Sequence, residues 1–292
     1  MSGLLPSPLM TRLSNYKLAS KGMIRGGQKG ERRSRRIGTS LEFSDYRLYS
    51  PGDDPRQIDW NTYARTQKHY IKQFLDEQEL TVNVFLDCTK SMAAEENKWL
   101  LTKQIAAVFA QISLTGADRL AVYPVTSTTN PYPLTKGTAL VHRVLSYIEK
   151  IAVNETGEKF APLFLHKVNS VRPSGVSVVI SDLLEDPERL FQALKRLQAK
   201  RQEVRLVQVL LPEEKNPGYA GDLKLTDVES GVERDVTMSR KVLNQYRSRF
   251  EQHTHEIESF CRKRGIAYMQ LFTTDTLEET FFSKLMAKGW II

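Results

Sequence analysis

The chain of 292 residues has only two cysteines, Cys88 and Cys261, far apart in sequence. That count excludes a disulfide framework and every zinc spacing, and a reducing cytoplasm is the simplest setting for it. No window approaches 18 consecutive apolar residues, so no transmembrane helix is expected. The N-terminus MSGLLPSPLM has no basic segment leading into an apolar stretch, as a signal peptide would. Neither G-x-x-x-x-G-K-[ST] nor a strand-linked G-x-G-x-x-G occurs, which leaves nucleotide binding unindicated, and there is no G-x-S-x-G elbow. Gly26-Gly27-Gln28-Lys29-Gly30 lacks both the preceding strand and the following hydroxyl of a phosphate loop. His253 and His255 are the only histidines close together, and two residues apart on a helix they face different sides. No catalytic residue is therefore assigned, and the chain reads as a binding protein rather than an enzyme.

What is present is a core and an uneven charge. Forty per cent of residues are hydrophobic, enough for a sizeable interior. The formal net charge of +8 lies wholly in residues 1–75, which hold 14 Lys and Arg against 6 Asp and Glu; residues 76–292 hold 28 of each. Seven of those basic residues fall in Lys21–Arg36, a glycine-containing run read as a flexible loop. Such a block is either a surface for acidic partners or nucleic acid, or a segment lying on an acidic patch of its own domain.

From Leu80 onward, strand and helix patterns alternate. LTVNVFLD, RLAVYPV, VSVVISD, EVRLVQVLL and GIAYMQLF are β-branched apolar runs, and the stretches between them carry helical periods at 98–114, 138–151, 161–171, 187–200 and 239–264. Tyr70–Phe74 reads as a further strand entering the same domain, and 222–238 as a hairpin turning at Glu229-Ser230-Gly231, within an insertion of about 212–238. The expected fold class is α/β, a doubly wound and mainly parallel sheet of about six strands. The expected division is a basic N-terminal segment, 1–75, followed by the α/β domain, 76–292.

Ligands of such sheets bind beyond the carboxyl ends of the strands. Two strands end there in acids, one at Asp87-Cys88-Thr89-Lys90-Ser91 and one at Ser181-Asp182. A carboxylate and two hydroxyls at i, i+2 and i+4 are hard oxygen donors of the kind Mg²⁺ takes. Asp87-x-Thr89-x-Ser91 with Asp182 resembles the metal-ion-dependent adhesion site of von Willebrand factor A domains. The resemblance implies Mg²⁺ as cofactor, Thr89 and Ser91 as direct ligands, Asp87 and Asp182 as supports, and a partner carboxylate completing the shell. Two departures are visible. Threonine stands at 89 where serine is usual, and the loop NETGEKFAP has Lys159 where a threonine is expected, with Thr156 displaced from that place. Lys90 and Lys159 are cations that could substitute for the metal or repel it. Cys88 is read as a buried structural thiol.

A denser motif precedes the domain. Glu42-Phe43, Tyr49-x-Pro51-Gly52-Asp53-Asp54-x-Arg56-x-Ile58-Asp59-Trp60 and Ala64-Arg65 look like the signature of the bacterial family catalogued as domain of unknown function 58, a likeness that extends to Asp227-x-Glu229-x-Gly231. The resemblance implies a von Willebrand A-like domain one strand later, and work beside MoxR-type AAA+ ATPases in assembling or activating other proteins. In the residues themselves, Asp53, Asp54 and Asp59 lie near Arg47, Arg56 and Arg65 in sequence, so bidentate pairs are expected, and Trp60 and Tyr63 supply area to bury. The segment is read as a clasp packing on the α/β domain and as a partner-binding surface formed by Arg47, Asp53, Asp54, Arg56, Asp59, Trp60 and Arg65. The alternative function is nucleic-acid binding through the basic segment, although the aromatics lie outside Lys21–Arg36.

Overall fold

The computed structural model describes residues 3–20, 42–75, 79–154, 156–218, 221–226 and 231–292. The Lys21–Arg36 run and the Glu229-Ser230 turn lie outside the described residues. Two compact units are present, one built from the described parts of 1–24 and 80–292, the other from those of 25–79.

In chain order, helix α1 (Ser7–Leu13) opens the larger unit. The smaller unit holds β1 (Glu42–Leu48), α2 (Trp60–Thr66) and β2 (Tyr70–Leu75). The larger unit resumes with β3 (Thr81–Asp87), α3 (Lys90–Ala93), α4 (Glu96–Thr115), β4 (Arg119–Val125), β5 (Tyr132–Lys136), α5 (Val141–Glu149), α6 (Phe160–Val168) and β6 (Gly175–Ser181). It ends with α7 (Pro187–Ala199), β7 (Gln202–Leu210), α8 (Pro212–Lys215), the antiparallel hairpin β8 (Gly221–Thr226) and β9 (Glu233–Met238), α9 (Arg240–Arg264) and β10 (Ala267–Phe272).

The central sheet has six strands in the order β10-β7-β6-β3-β4-β5, all parallel except β5. Strand residues alternate between two cores, as a sheet covered on both faces requires. Val82, Val84 and Leu86 join Ile105, Phe109 and Ile112 of α4 in one core, while Phe85 joins Phe164 of α6 and Leu194 of α7 in the other. The expected mainly parallel α/β sheet is present.

Two expectations about its margins need correction. Tyr70–Leu75 is a strand, but it pairs with β1 in a separate two-stranded sheet; the sixth strand of the main sheet is β5. Its sequence YPLTK is short and half exposed, so it has no apolar run to announce it. Residues 3–20, expected to belong with the basic segment, are part of the larger unit. Leu4, Leu5, Leu9, Leu13 and Leu18 are buried there, and Leu18 bridges Ile291. The buried Arg205 guanidinium fastens both chain ends, donating to the carbonyls of Ala19 and Trp290.

Gly175 sets the alignment that matters for function. Its φ is +147°, and a Cβ there would lie 2.2 Å from the Thr81 carbonyl oxygen. Only glycine lets β6 start this close to β3. The strands then run in register from Val82↔Val176 to Leu86↔Ile180, so Asp87 and Ser181 finish side by side. Among the described residues no helix is long and apolar enough to cross a membrane.

Candidate functional site

Asp87 ends β3 in a buried position, and both of its oxygens are occupied. Oδ1 accepts from the Thr89 amide at 2.9 Å and the Thr89 hydroxyl at 2.7 Å, and Oδ2 accepts from the Ser181 hydroxyl at 2.6 Å. The Thr89 and Ser91 hydroxyls lie 3.0 Å apart. Burial, then the nearby Asp182 charge, lifts the Asp87 carboxyl to about 7, against the pull of the bonds from Ser181 and Thr89. Asp182, one residue past β6, receives the Leu184 amide on Oδ1. The four residues expected to hold a metal, Asp87, Thr89, Ser91 and Asp182, are therefore brought to one strand edge.

The cation at that edge is one the sequence reading missed. Lys98, in the first turn of α4, has no exposed surface, and its Nζ donates to Asp182 Oδ2 at 2.9 Å, Glu214 Oε1 at 2.7 Å and the Ser91 carbonyl at 3.3 Å. Burial pulls its ammonium down, but the two carboxylates outweigh that and leave it raised. Glu214, on α8, receives the Leu211 amide on its other oxygen. The buried Gln208 donates to the Asp182 carbonyl and accepts from the Tyr268 hydroxyl, carrying the network across β7 to β10. Lys90 and Lys159, the two ammoniums expected to matter, make no ion pair with Asp87 or Asp182 among the described residues, and Lys159 is exposed. A signal for Lys98 was present: it precedes Leu101 by three residues and Ile105 by seven, on the stripe of α4 that faces the core.

The loop expected to supply a threonine is built differently. Asn154 donates its amide to the Cys88 carbonyl, which anchors the loop beside the site. The single Thr156 hydroxyl proton is shared between Asn154 Oδ1 at 2.8 Å and Glu158 Oε2 at 2.9 Å, and Glu158 also accepts from Ser127. This threonine is thus committed within its own loop. Cys88 is fully buried, burial pushes its thiol up, and it is a structural thiol as expected.

A divalent ion does not fit this arrangement of donors. Asp87 already accepts two bonds on Oδ1 and one on Oδ2, and Asp182 carries an ammonium that would repel a divalent ion. Among the described residues no group of three or more His, Cys, Asp or Glu is arranged to hold a metal.

In the smaller unit, Arg47 and Asp53 make the expected bidentate pair at 2.6 and 2.8 Å. The other two pairs do not form. Asp54 caps the 3₁₀ turn Pro55–Gln57 by accepting from the Arg56 amide. Asp59 caps α2, accepting from the Asn61 and Thr62 amides, the Thr62 hydroxyl and the Tyr46 hydroxyl. Arg56 and Arg65 are exposed and make no ion pair among the described residues. Trp60, expected to be buried, is 58 % exposed; it stands edge-on to Tyr63 and His69, which stack at 4.5 Å.

The family model described as "Protein of unknown function DUF58" matches residues 45–258, which take in the smaller unit's motif from Tyr49 onward and five of the six strands of the main sheet. The chain belongs to the DUF58 family. Uncharacterized proteins of Mycobacterium bovis (Mb1516) and Mycobacterium tuberculosis H37Rv (Rv1480) are each 27% identical over 271 residues, 91% of this DUF58 chain and 85% of theirs. Among solved structures it is similar to the conserved hypothetical protein BatB from Bacteroides thetaiotaomicron, at 14% identity and a TM-score of 0.42, over 72% of this chain and 98% of that one. An aerotolerance-related membrane protein from Bacteroides fragilis matches over the same shares with 12% identity and a TM-score of 0.42.

Proposed function

We propose that this DUF58 protein is a cytoplasmic, non-catalytic partner-binding module of von Willebrand factor A-like architecture, working with a MoxR-type AAA+ ATPase in the assembly or activation of other proteins. The observation that carries the reading is the state of the strand-edge carboxylates. Asp87, Asp182 and Glu214 are held by fixed donors at the place where an α/β sheet meets its ligand. Groups held this way set the shape of the loops around them, as a docking platform requires. The exposed Trp60, Arg56 and Arg65 add a second feature suited to a protein partner, because tryptophan and arginine dominate interface energetics. The ATPase as partner comes from the family resemblance in Tyr49–Trp60.

Affinity capture from the native cytoplasm tests the reading. The tagged wild-type chain is expected to retain a MoxR-type ATPase and to lose it on Trp60→Ala with Arg56→Ala. Retention of the ATPase by the double variant at wild-type level would remove the small unit from the interface, and absence of the ATPase from wild-type captures would end the reading.

A further inference from the structure

The strand edge contains its own cation. An ammonium has three donors, and those of Lys98 are all used, by acceptors from three separate elements: the Ser91 carbonyl after β3, Asp182 after β6 and Glu214 on α8. The position is unfavourable in every other respect. The side chain is fully buried, which disfavours charge, and it sits in the first turn of a 20-residue helix, where the macrodipole opposes a cation. A lysine under those two penalties stays charged because two carboxylates hold it. The remaining oxygens of those carboxylates are taken by the Leu184 and Leu211 amides. A divalent ion entering here would meet the ammonium at short range in a poorly screened interior.

We propose that Lys98 is the resident cation of the strand edge, standing where a divalent ion would otherwise bind, and that this site works without metal. Lys98 also links the edge to the chain leading into the hairpin. Glu214 lies on the short helix before β8, and its carbonyl accepts from the Tyr246 hydroxyl of α9. The ammonium thus joins the loops after β3 and β6 to the β8–β9 arm and its supporting helix. A neutral side chain at 98 would leave two carboxylates and a carbonyl around an empty position, a set of hard oxygens suited to Mg²⁺ or Mn²⁺.

Thermal unfolding of the full chain decides this, read with a chelator and with MgCl₂ or MnCl₂ in the millimolar range. A metal site filled a hundredfold beyond its dissociation constant would raise the midpoint by roughly 5–10 °C. The wild type is expected to show no such rise and no fall with chelator, and Glu214→Gln, which keeps the Lys98–Asp182 pair, is expected to be equally indifferent. Lys98→Met is expected to melt lower in chelator and to recover part of the loss with Mn²⁺. A wild-type midpoint that climbs by several degrees with either ion overturns metal independence. A folded Lys98→Met that gains nothing from Mn²⁺ overturns the placement of the ammonium in the cation's position. Should Lys98→Met fail to fold, wild type and Glu214→Gln still decide the first point. No partner is needed, so failure here is distinct from failure of the docking reading.

Discussion

At the strand edge of the larger unit, Lys98 joins Asp182 and Glu214 while Asp87 is held by Thr89 and Ser181; in the smaller unit Arg56, Arg65 and Trp60 stand exposed, while Arg47 pairs with Asp53 and Asp54 and Asp59 cap helical turns. The two regions put their acids and bases to opposite use. Charge that is buried and saturated defines geometry, and removing one member leaves another stranded. Charge and aromatic surface left exposed contribute little to stability and remain available to a partner. Substitutions should therefore separate the regions: large losses of stability with local rearrangement at the edge, small losses of stability with loss of binding in the small unit.

The largest effect is expected at Lys98. Lys98→Met leaves Asp182 buried and Glu214 mostly buried without their counter-ion, and breaking a buried pair from one side costs about 3–5 kcal/mol. Chemical denaturation in the presence of chelator measures it. A loss under about 1 kcal/mol would mean that the edge is solvated like the small unit, and the contrast would collapse.

Asp87 should give the edge a pH signature. Its carboxyl is lifted from 3.8 to about 7, chiefly by burial and then by Asp182. The folded protein therefore keeps a proton that the unfolded chain releases between about pH 4 and 7. The stabilising contribution is full below pH 4 and is lost as the pH rises through 7, with a slope of at most about 1.4 kcal/mol per pH unit for one proton. Asp87→Asn keeps the shape and removes the titration, so its stability between pH 5 and 8 is expected to be flatter than that of the wild type. Parallel curves for the two proteins would assign the pH dependence to other groups.

Much of this was readable beforehand, and the exceptions have physical causes. The parallel strands declare themselves because buried strands are continuous apolar runs, and the shared edge of Asp87 and Asp182 follows from topology once β3 and β6 are strands. Strand β5 and helix α1 were missed because one is short and half exposed and the other is a single two-turn amphipath. Asp87, Thr89, Ser91 and Asp182 were found as neighbours, but the cation among them was not, since Lys98 and Glu214 are 84 and 32 residues from Asp182 and nothing in local spacing joins them. In the small unit the reverse holds. Acid and base lie close in sequence, which suggested three pairs, yet Asp54 and Asp59 cap helical turns instead, because a free amide two or three residues away competes well with an exposed guanidinium.

Asp59 tests the small unit on its own. Its carboxylate serves four donors in β1 and α2, so Asp59→Ala is expected to cost about 1–2 kcal/mol, in the range of helix caps, and to speed amide exchange in Trp60–Thr66. The effect should stay within residues 42–75. Faster exchange in β3 or β6 as well would show that the two regions unfold together.

The smallest effect on stability is expected at Trp60, and there the comparison is sharpest. The side chain is 58 % exposed and touches the Tyr63 and His69 rings edge-on, so Trp60→Ala removes part of an aromatic cluster without opening a cavity. Exposed substitutions of this kind fall within about 0.5 kcal/mol. A tryptophan left in water contributes little to the isolated fold, whereas a partner that covers it gains its full area, and truncating such an anchor typically costs 2 kcal/mol or more of binding, roughly a thirtyfold loss of affinity. Equilibrium binding of the captured ATPase to wild type and to Trp60→Ala, alongside their melting curves, sets the two quantities against each other. A variant that melts with the wild type and binds at least thirtyfold more weakly places the interface on the small unit. One that loses several kcal/mol of stability would show that Trp60 belongs to the fold, and the division between an inward-facing edge and an outward-facing surface would have to be redrawn.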